Sequence, residues 1–428
     1  MLNLARIHEA IAEVIPDREC LVFRDRRFSW AQTTDRTRRL AAVLRQHGLG
    51  CHVPRADLSG SESGQDHVAL YLYNGNEYLE GMLGAFKARC APFNVNYRYV
   101  EEELLYLFEN ADARAVIFHA ALAPTLEKMR DRLSGVKLWI QVPDESNNPL
   151  LPGALDYETA LAEATPEDPG ELSPDDLYIL YTGGTTGMPK GVLWRQEDVF
   201  LAALSMGGTP KTLADIQDRA RHKEGPRVLA APPFMHGAGH WMAFNMWHVA
   251  GTVVVQSQPR RLDPDDIWST VETERISAMT IVGDAFAVPL LDQLRVKKYD
   301  LSSLRQIGSG GAILTAGRKA ELLERLPGIR ILDALGSSET GSQGNQMTRA
   351  GDTAGTGSFE MVADNSVLSE DLGRVLEPGS GEVGWLAKRG RVPLGYYKDP
   401  EKSASTFPEV DGVRYSIPGD RVVLEADG

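Results

Sequence analysis

Cysteine is scarce in this chain. Cys20, Cys51 and Cys90 are the three present, and they form neither a CxxC pair nor an even framework. That excludes a disulfide scaffold and a structural zinc site of the paired-cysteine kind, and it favours a reducing cytoplasm. Long apolar runs are missing too. No window approaches 18 consecutive apolar residues, so no segment reads as a transmembrane helix, which leaves only peripheral membrane contact open. A secretory leader is also absent from the first residues. Leu4, Ile7, Ile11 and Val14 or Ile15 share one face of a helix that stops at Pro16, while Arg6, Glu9 and Glu13 interrupt any leader-like apolar stretch. Basic excess is lacking as well: 45 Lys and Arg face 59 Asp and Glu, a formal net charge of −14, which excludes wholesale nucleic-acid binding. A locally positive pocket for a small anion stays open.

What is there points to an α/β fold. At 428 residues the chain is too long for one core. Residues 20–30 read as a small hairpin whose Arg24, Arg26 and Arg27 form a solvated turn, with Ser29 as N-cap of a helix ending near Gly48. A polar loop follows over 51–65. From Val68 the pattern alternates: strands at 68–72, 91–94, 115–118 and 138–142, and helices at 77–87, 101–109 and 122–133. Further strands are expected at 228–231, 252–256, 278–282, 304–309 and 329–333. Two packed, mostly parallel sheets with flanking helices are the expected fold class. Beyond Gly341 short apolar runs punctuated by Gly and Pro predict a small β-rich, barrel-like subdomain. The expected division is 1–172, 173–345 and 346–428.

One stretch organises the rest: Tyr181-Thr182-Gly183-Gly184-Thr185-Thr186-Gly187-Met188-Pro189-Lys190-Gly191. It follows the apolar run 177–180 and leads through 192–194 into a segment that reads as a helix from Gln196. Its glycines let backbone N–H groups converge, its threonines add hydroxyl donors, and Lys190 brings a mobile positive charge. The pattern is that of a loop for phosphate oxygens. No Gly-Lys-Ser/Thr triplet closes it, which disfavours an ordinary Walker-type ATPase or GTPase.

Five further segments stand in a telling order: Pro232-Pro233-Phe234-Met235-His236-Gly237, Ser309-Gly310-Gly311-Ala312, Gly336-Ser337-Ser338-Glu339-Thr340-Gly341, Gly395-Tyr396 and Gly419-Asp420. With the loop they resemble the adenylate-forming enzymes, a superfamily of acyl- and aryl-CoA synthetases, peptide-synthetase adenylation domains and luciferases. Details such as Asn94-Val95-Asn96-Tyr97-Arg98-Tyr99 and Val413-Arg414-Tyr415-Ser416 are similar to actinobacterial acyl-CoA ligases acting on steroid side chains or long fatty acids.

The resemblance implies an AMP-forming acid–thiol ligase of lipid metabolism, with ATP, magnesium and coenzyme A joining a hydrophobic carboxylic acid. It makes Thr186, Lys190 and Glu339 the catalytic residues, Glu339 also being the metal ligand. Thr182, Gly183, Gly184, Thr185, Thr186, Gly187 and Lys190 match the phosphate-holding loop. Gly310, Gly311 and Ala312 resemble the wall of an adenine slot, bordered by Asp333, Ala334, Leu335, Gly336 and Ser338. Asp333 would accept from the adenine amino group. Leu335 stands where the family has Tyr, Ser338 where it has Thr, and Asp420 matches a ribose-binding aspartate although Pro418 replaces the usual Thr. His236, Gly237 and Met242 resemble the lining of the acyl channel and Asp284 another wall, while His240 and His248 read as structural.

Family members continue past a hinge into a small domain carrying a catalytic lysine. A chain ending at Gly428 would lack that domain and be weakly active by itself. Two other readings stand beside the ligase: an acyl-AMP ligase loading a carrier protein, and a non-catalytic nucleotide- or lipid-binding protein. A homodimer stays open.

Overall fold

The computed structural model describes residues 2–183, 187–205 and 210–428. Among them two sheets carry the parallel strands. The first joins Ala91–Asn94, His67–Tyr71, Ala113–His119, Leu138–Val142 and Leu155–Asp156, all parallel. These strands are nearly continuous runs of buried residues, as strands covered on both faces must be. Helices Asn76–Lys87 and Glu101–Asn110 connect them much as the alternating pattern predicts. The predicted helix 122–133 is shorter, Ala123–Met129, with 3-10 turns on both sides and Pro124 in its first turn.

The second sheet has nine strands. Its order is Glu360–Met361, Gly341–Arg349, Arg330–Ser337, Gln306–Gly310, Ala278–Ile281, Arg227–Ala230, Thr252–Val255, Glu19–Phe23 and Arg26–Ser29. The interior six are parallel and antiparallel strands close both ends. The N-terminal hairpin is thus part of this sheet, so the expected division at 172/173 does not follow sheet membership: Leu21 pairs in parallel with Val253, more than two hundred residues away in the chain.

The arginine turn is also not merely solvated. Arg24 meets Glu145, Arg26 lies 2.7 Å from Glu77, and Arg27 lies 2.6 Å from Glu274. These pairs tie the hairpin to both sheets. Ser29 does cap its helix, accepting from Gln32 N while the Gln32 side chain accepts from Ser29 N.

Two antiparallel sheets complete the fold. Leu177–Thr182, Lys190–Arg195 and Gly395–Tyr396 form a three-stranded sheet. The last part of the chain pairs Asn365–Leu368, Val383–Arg389, Val413–Ser416 and Glu409–Val410, with Arg421–Val423 on Val383–Arg389. This is the expected β-rich unit, but the pairings run as an open path, so the barrel-like closure is not supported. No described helix is long and apolar enough to cross a membrane.

The helices Trp30–Gln46 and Asn76–Lys87 pack closely enough to dictate a residue. A Cβ on Gly84 would sit 2.6 Å from Leu40 Cδ2 and 2.7 Å from Leu40 Cγ. Replacing Gly84 by Val is therefore expected to lower stability by about 1–3 kcal/mol through overpacking. Gly317→Ala, on an exposed helix where a Cβ meets nothing within 4 Å, should be neutral or stabilising. Urea midpoints of the two variants check both expectations.

Candidate active site

Parallel register lines up the carboxyl ends of the central strands. Ile281 is paired with Ser309, and Ser309 with Asp333, so Val282, Gly310 and Ala334 lie side by side where the parallel pairing ends. That edge of an open parallel sheet is where ligands bind in α/β proteins.

The loop after Ser309 is built for close approach. Gly311 has φ +81, and a Cβ placed on it would lie 3.9 Å from Ala238 Cβ and 4.0 Å from Val282 Cγ1. Gly310 is paired with Ala334. Small residues thus leave one backbone wall uncovered between the helix Gly237–Trp247 and the strand Arg330–Ser337. Asp284 holds this loop in place. Its two carboxylate oxygens accept from Thr315 N and Thr315 Oγ1, each at 2.9 Å, and its own N–H donates to Ile313 O at 2.9 Å. Asp284 is therefore committed to loop architecture and is not a free carboxylate on a channel wall.

Asp333 also departs from expectation. Its side chain turns inward and lies 2.8 Å from the ammonium of Lys319, which is fully buried. Lys319 donates its remaining hydrogens to Gln346 Oε1 at 2.6 Å and Gly355 O at 2.8 Å. The charge of Asp333 is already matched inside the protein, which removes the reason to assign it to an adenine amino group. Ala334, by contrast, is exposed, and Leu335 and Ser338 are half-buried.

The turn after Ser337 presents Glu339. Gly341 has φ +68, and a Cβ on Gly336 would fall 2.1 Å from Gly341 O, so the reversal needs both glycines. Thr340, fully buried, accepts from Ser337 N at 3.1 Å. Glu339 is half-buried: Tyr396 Oη donates to its Oε1 at 3.0 Å, and Ser416 Oγ donates to its backbone oxygen at 2.7 Å. Burial, and after it the charge of Glu339, raise the Tyr396 hydroxyl far above its ordinary range, so it stays a donor.

The glycine- and threonine-rich stretch leads to a helix beginning at Gln196, as expected, and 192–194 on the way form part of a strand. It is a hairpin: Thr182 pairs with Lys190 and Tyr181 with Gly191, and the helix Gln196–Val199 follows the strand Lys190–Arg195. Gly191 is needed because the Tyr181 ring covers it, 2.8 Å from where a Cβ would lie. Lys190 contacts Asp399, which holds that carboxyl below its ordinary value against the opposing effect of burial. Trp194 Nε1 donates to Ser338 O at 2.8 Å, so the hairpin and the Glu339 turn are joined directly. Gly183 and Gly187 flank the loop; Gly184, Thr185 and Thr186 lie outside the described residues.

The family whose pattern matches the sequence is described as AMP-binding enzyme, and the match runs over residues 8–397. The chain belongs to the AMP-binding enzyme family. It is 47% identical over 428 residues to the medium-chain acyl-CoA ligase Mig of Mycobacterium avium, covering 99% of this chain and 78% of that protein. It is 37% identical over 443 residues to the 3-oxocholest-4-en-26-oate–CoA ligase of Rhodococcus rhodochrous, covering 100% of this chain and 76% of that one. The anthranilate CoA ligase AuaEII in complex with anthranoyl-AMP shares the fold, with a TM-score of 0.81 at 21% identity over 100% of this chain and 76% of that one.

In this member of the AMP-binding enzyme family the remaining candidates divide. His236 stands exposed just before the helix Gly237–Trp247, its imidazole held below its ordinary value by desolvation and then by Arg98. Met242 lies under Gly308, and Gly237 against Leu180. Asp420 is exposed and its carbonyl accepts from Leu386 N at 2.9 Å; no side-chain contact draws it to the other site residues among those described. Two residues given no site role from sequence matter as much. Asn94 accepts from Tyr181 N at 2.7 Å and donates to both Tyr181 O and Met235 O at 2.8 Å, while Asn74 accepts from Phe234 N at 2.6 Å and donates to Pro232 O at 2.9 Å. Two asparagines at the ends of strands of the first sheet thus pin the 232–236 segment. Asn94 was visible in sequence as the start of the 94–99 stretch, and Asn74 as no more than an amide following an apolar run.

His240 and His248 are buried and neutral by construction. His240 bridges Phe234 O and Tyr178 Oη, and His248 bonds Leu204 O. Burial holds both imidazoles at about 4, below the ordinary 6.5. Between those values the unfolded chain binds protons that the folded chain does not, so stability present at neutral pH is lost as pH falls from 6.5 toward about 4. The urea midpoint should fall over that interval, and His240→Gln should flatten part of the fall; equal slopes in the two proteins would remove His240 from the acid response.

Proposed function

We propose that the chain activates a hydrophobic carboxylic acid with ATP and passes the acyl group to coenzyme A. The carrying observation is the convergence, at one sheet edge, of the Lys190 hairpin, the oriented Glu339 carboxylate and the small-residue wall Gly310–Ala312. The kinship with acyl-CoA ligases supports the acid–thiol half of the reading.

The first step joins two anions. A carboxylic acid is already ionised at neutral pH, so no base is needed; its oxygen attacks the α-phosphorus, the bond to the bridging oxygen breaks, and pyrophosphate leaves. What the protein supplies is neutralisation of charge and alignment. Lys190 and the backbone and hydroxyl donors of Thr182, Gly183 and Gly187, with Gly184, Thr185 and Thr186, hold the phosphates in this reading. Gly310, Gly311 and Ala312 face the adenine, with Ala334, Leu335, Gly336 and Ser338 beside them; Asp420 is assigned to the ribose. In the second step a thiol attacks the acyl carbon and AMP leaves.

Magnesium fits through one carboxylate. No group of three or more His, Cys, Asp or Glu that could hold a metal occurs among the described residues. A hard ion held by one acid and by the phosphates themselves is the usual arrangement at nucleotide sites, and Glu339 offers that acid. When bound, the ion would offset phosphate charge.

The acid is assigned to the space beside His236, Gly237 and Met242. A medium- or long-chain fatty acid, or a steroid side-chain acid, would draw on about 0.8 kcal/mol per buried CH₂. Cytoplasmic location goes with this reading, as does the three-unit division proposed from sequence apart from the N-terminal hairpin, which joins the second sheet.

Acid-dependent ATP–pyrophosphate exchange tests it, with acids from acetate to long-chain and steroid acids and CoA added afterwards. The assay is run on the chain and on the chain joined after Gly428 to the remaining C-terminal part of a relative. Exchange and acyl-CoA formation should favour the long and polycyclic acids; equal rates with acetate would sink the hydrophobic-acid reading. Exchange with no CoA product would indicate carrier loading instead. Glu339→Ala should slow exchange at least tenfold, about 1.4 kcal/mol of transition-state stabilisation. Unchanged exchange would remove Glu339 from the reaction.

A further inference from the structure

One short segment touches both charged groups of the site. Gly395–Tyr396 is the edge strand of the hairpin sheet, paired with Leu193 and Val192, and the helix Pro400–Thr406 follows it at once. Tyr396 Oη donates to Glu339 Oε1 at 3.0 Å, and Asp399 contacts Lys190. Asp399 is itself fixed, since its other oxygen accepts from Lys402 N at 2.9 Å as the cap of that helix. Ser403 Oγ accepts from Tyr396 N at 2.7 Å, closing the turn.

The neighbouring side chain faces the other way. Tyr397 Oη donates to Asp112 Oδ2 at 2.7 Å, its ring lies 4.9 Å from that of His67, and Lys398 Nζ is 2.6 Å from the same Asp112 oxygen. The polar 51–65 loop backs this segment: Ser61 O accepts from Lys398 N at 2.9 Å, and a Cβ on Gly395 would lie 3.3 Å from Gly60 O. The segment is therefore clamped on the first sheet's side through Tyr397 and Lys398 and turns Tyr396 toward Glu339.

A carboxylate on a turn can rotate, and rotation dilutes its affinity for an ion. The phenol removes that freedom by holding one oxygen. Oε2 of Glu339 is left without a partner among the described residues. Groups that orient a metal-binding side chain change metal affinity by about 10–100-fold when they are removed.

We infer that Tyr396 is a positioning residue that orients Glu339, so that its free oxygen serves a divalent cation arriving with the nucleotide. The inference rests on the nucleotide-site reading above. It assigns the 51–65 loop a role as the outer brace of that device.

The test uses the 428-residue chain, Mn²⁺ as probe and a non-hydrolysable ATP analogue, reading free Mn²⁺ by electron paramagnetic resonance and nucleotide binding by calorimetry. Tyr396→Phe should raise the Mn²⁺ concentration needed for half-saturation of the nucleotide complex about tenfold, with unchanged unfolding and unchanged metal-free nucleotide binding. Tyr397→Phe loses the same hydroxyl on the opposite face and should leave the Mn²⁺ curve where it was. In a Glu339→Gln background, Tyr396→Phe should add nothing, because its effect passes through the carboxylate. A wild-type Mn²⁺ curve for Tyr396→Phe, an equal shift in Tyr397→Phe, or full additivity with Glu339→Gln each overturns the assignment. Absence of Mn²⁺-dependent nucleotide binding in the unaltered chain would instead fell the nucleotide-site reading, and this inference with it.

Discussion

The level ending of parallel strands governs this molecule. Because Ile281, Ser309 and Asp333 are locked in register, the parallel pairing ends at nearly one level: two of the strands leave the sheet after Ile281 and Gly310, while Arg330–Ser337 runs on beside them, paired only with Gly341–Arg349. One opens the helix Gly283–Val296, one becomes the open glycine wall, and one leads to the Glu339 reversal. An antiparallel sheet would send successive connections to opposite edges and scatter these groups. The hairpin with Lys190 is not part of that sheet, and Trp194 and the Gly395–Ser403 segment help to hold it at the same edge.

Electrostatics sets the second layer of constraint. Lys190 and Glu339 are opposite charges that serve the proposed reaction only while kept apart, and each has been given a different partner from one short segment: Asp399 for the cation, a neutral phenol for the anion. Other charges are neutralised internally. Lys319 and Asp333 pair beneath the small-residue wall with every lysine hydrogen used, as burial of an ion requires. Asn74 and Asn94 meet backbone groups of the 232–236 segment that would otherwise be orphaned where two sheets abut.

Much of the fold was legible, for reasons that differ between elements. Strands Ala91–Asn94 and Leu138–Val142 fall where the apolar runs put them, because a strand buried on both faces has no alternative environment. The cap at Ser29 was readable from local chemistry alone. Val192, Leu193 and Trp194 were harder: all three are buried, so their run carries no period, and the partner that makes them a strand is Leu177–Thr182, more than ten residues earlier in the chain. The membership of Glu19–Phe23 in the second sheet was illegible altogether, since pairing with Thr252–Val255 leaves no trace in either segment.

The site divides along the same line. The sequence by itself determined which groups stand as candidates: a cation, Lys190, in a glycine- and threonine-rich stretch by residue type and spacing, and the acid Glu339 and the small residues Gly310–Ala312 through the resemblance to a family. Tertiary structure alone decided which of the acids are free. Asp284 and Asp333 look as available as Glu339 on paper, yet one is consumed by Thr315 and the other by Lys319. Tyr396 and Asp399 acquired their parts only by proximity across the fold. Long-range pairing of a charge or a hydroxyl depends on where two distant backbones meet, and neither segment encodes that meeting without the other.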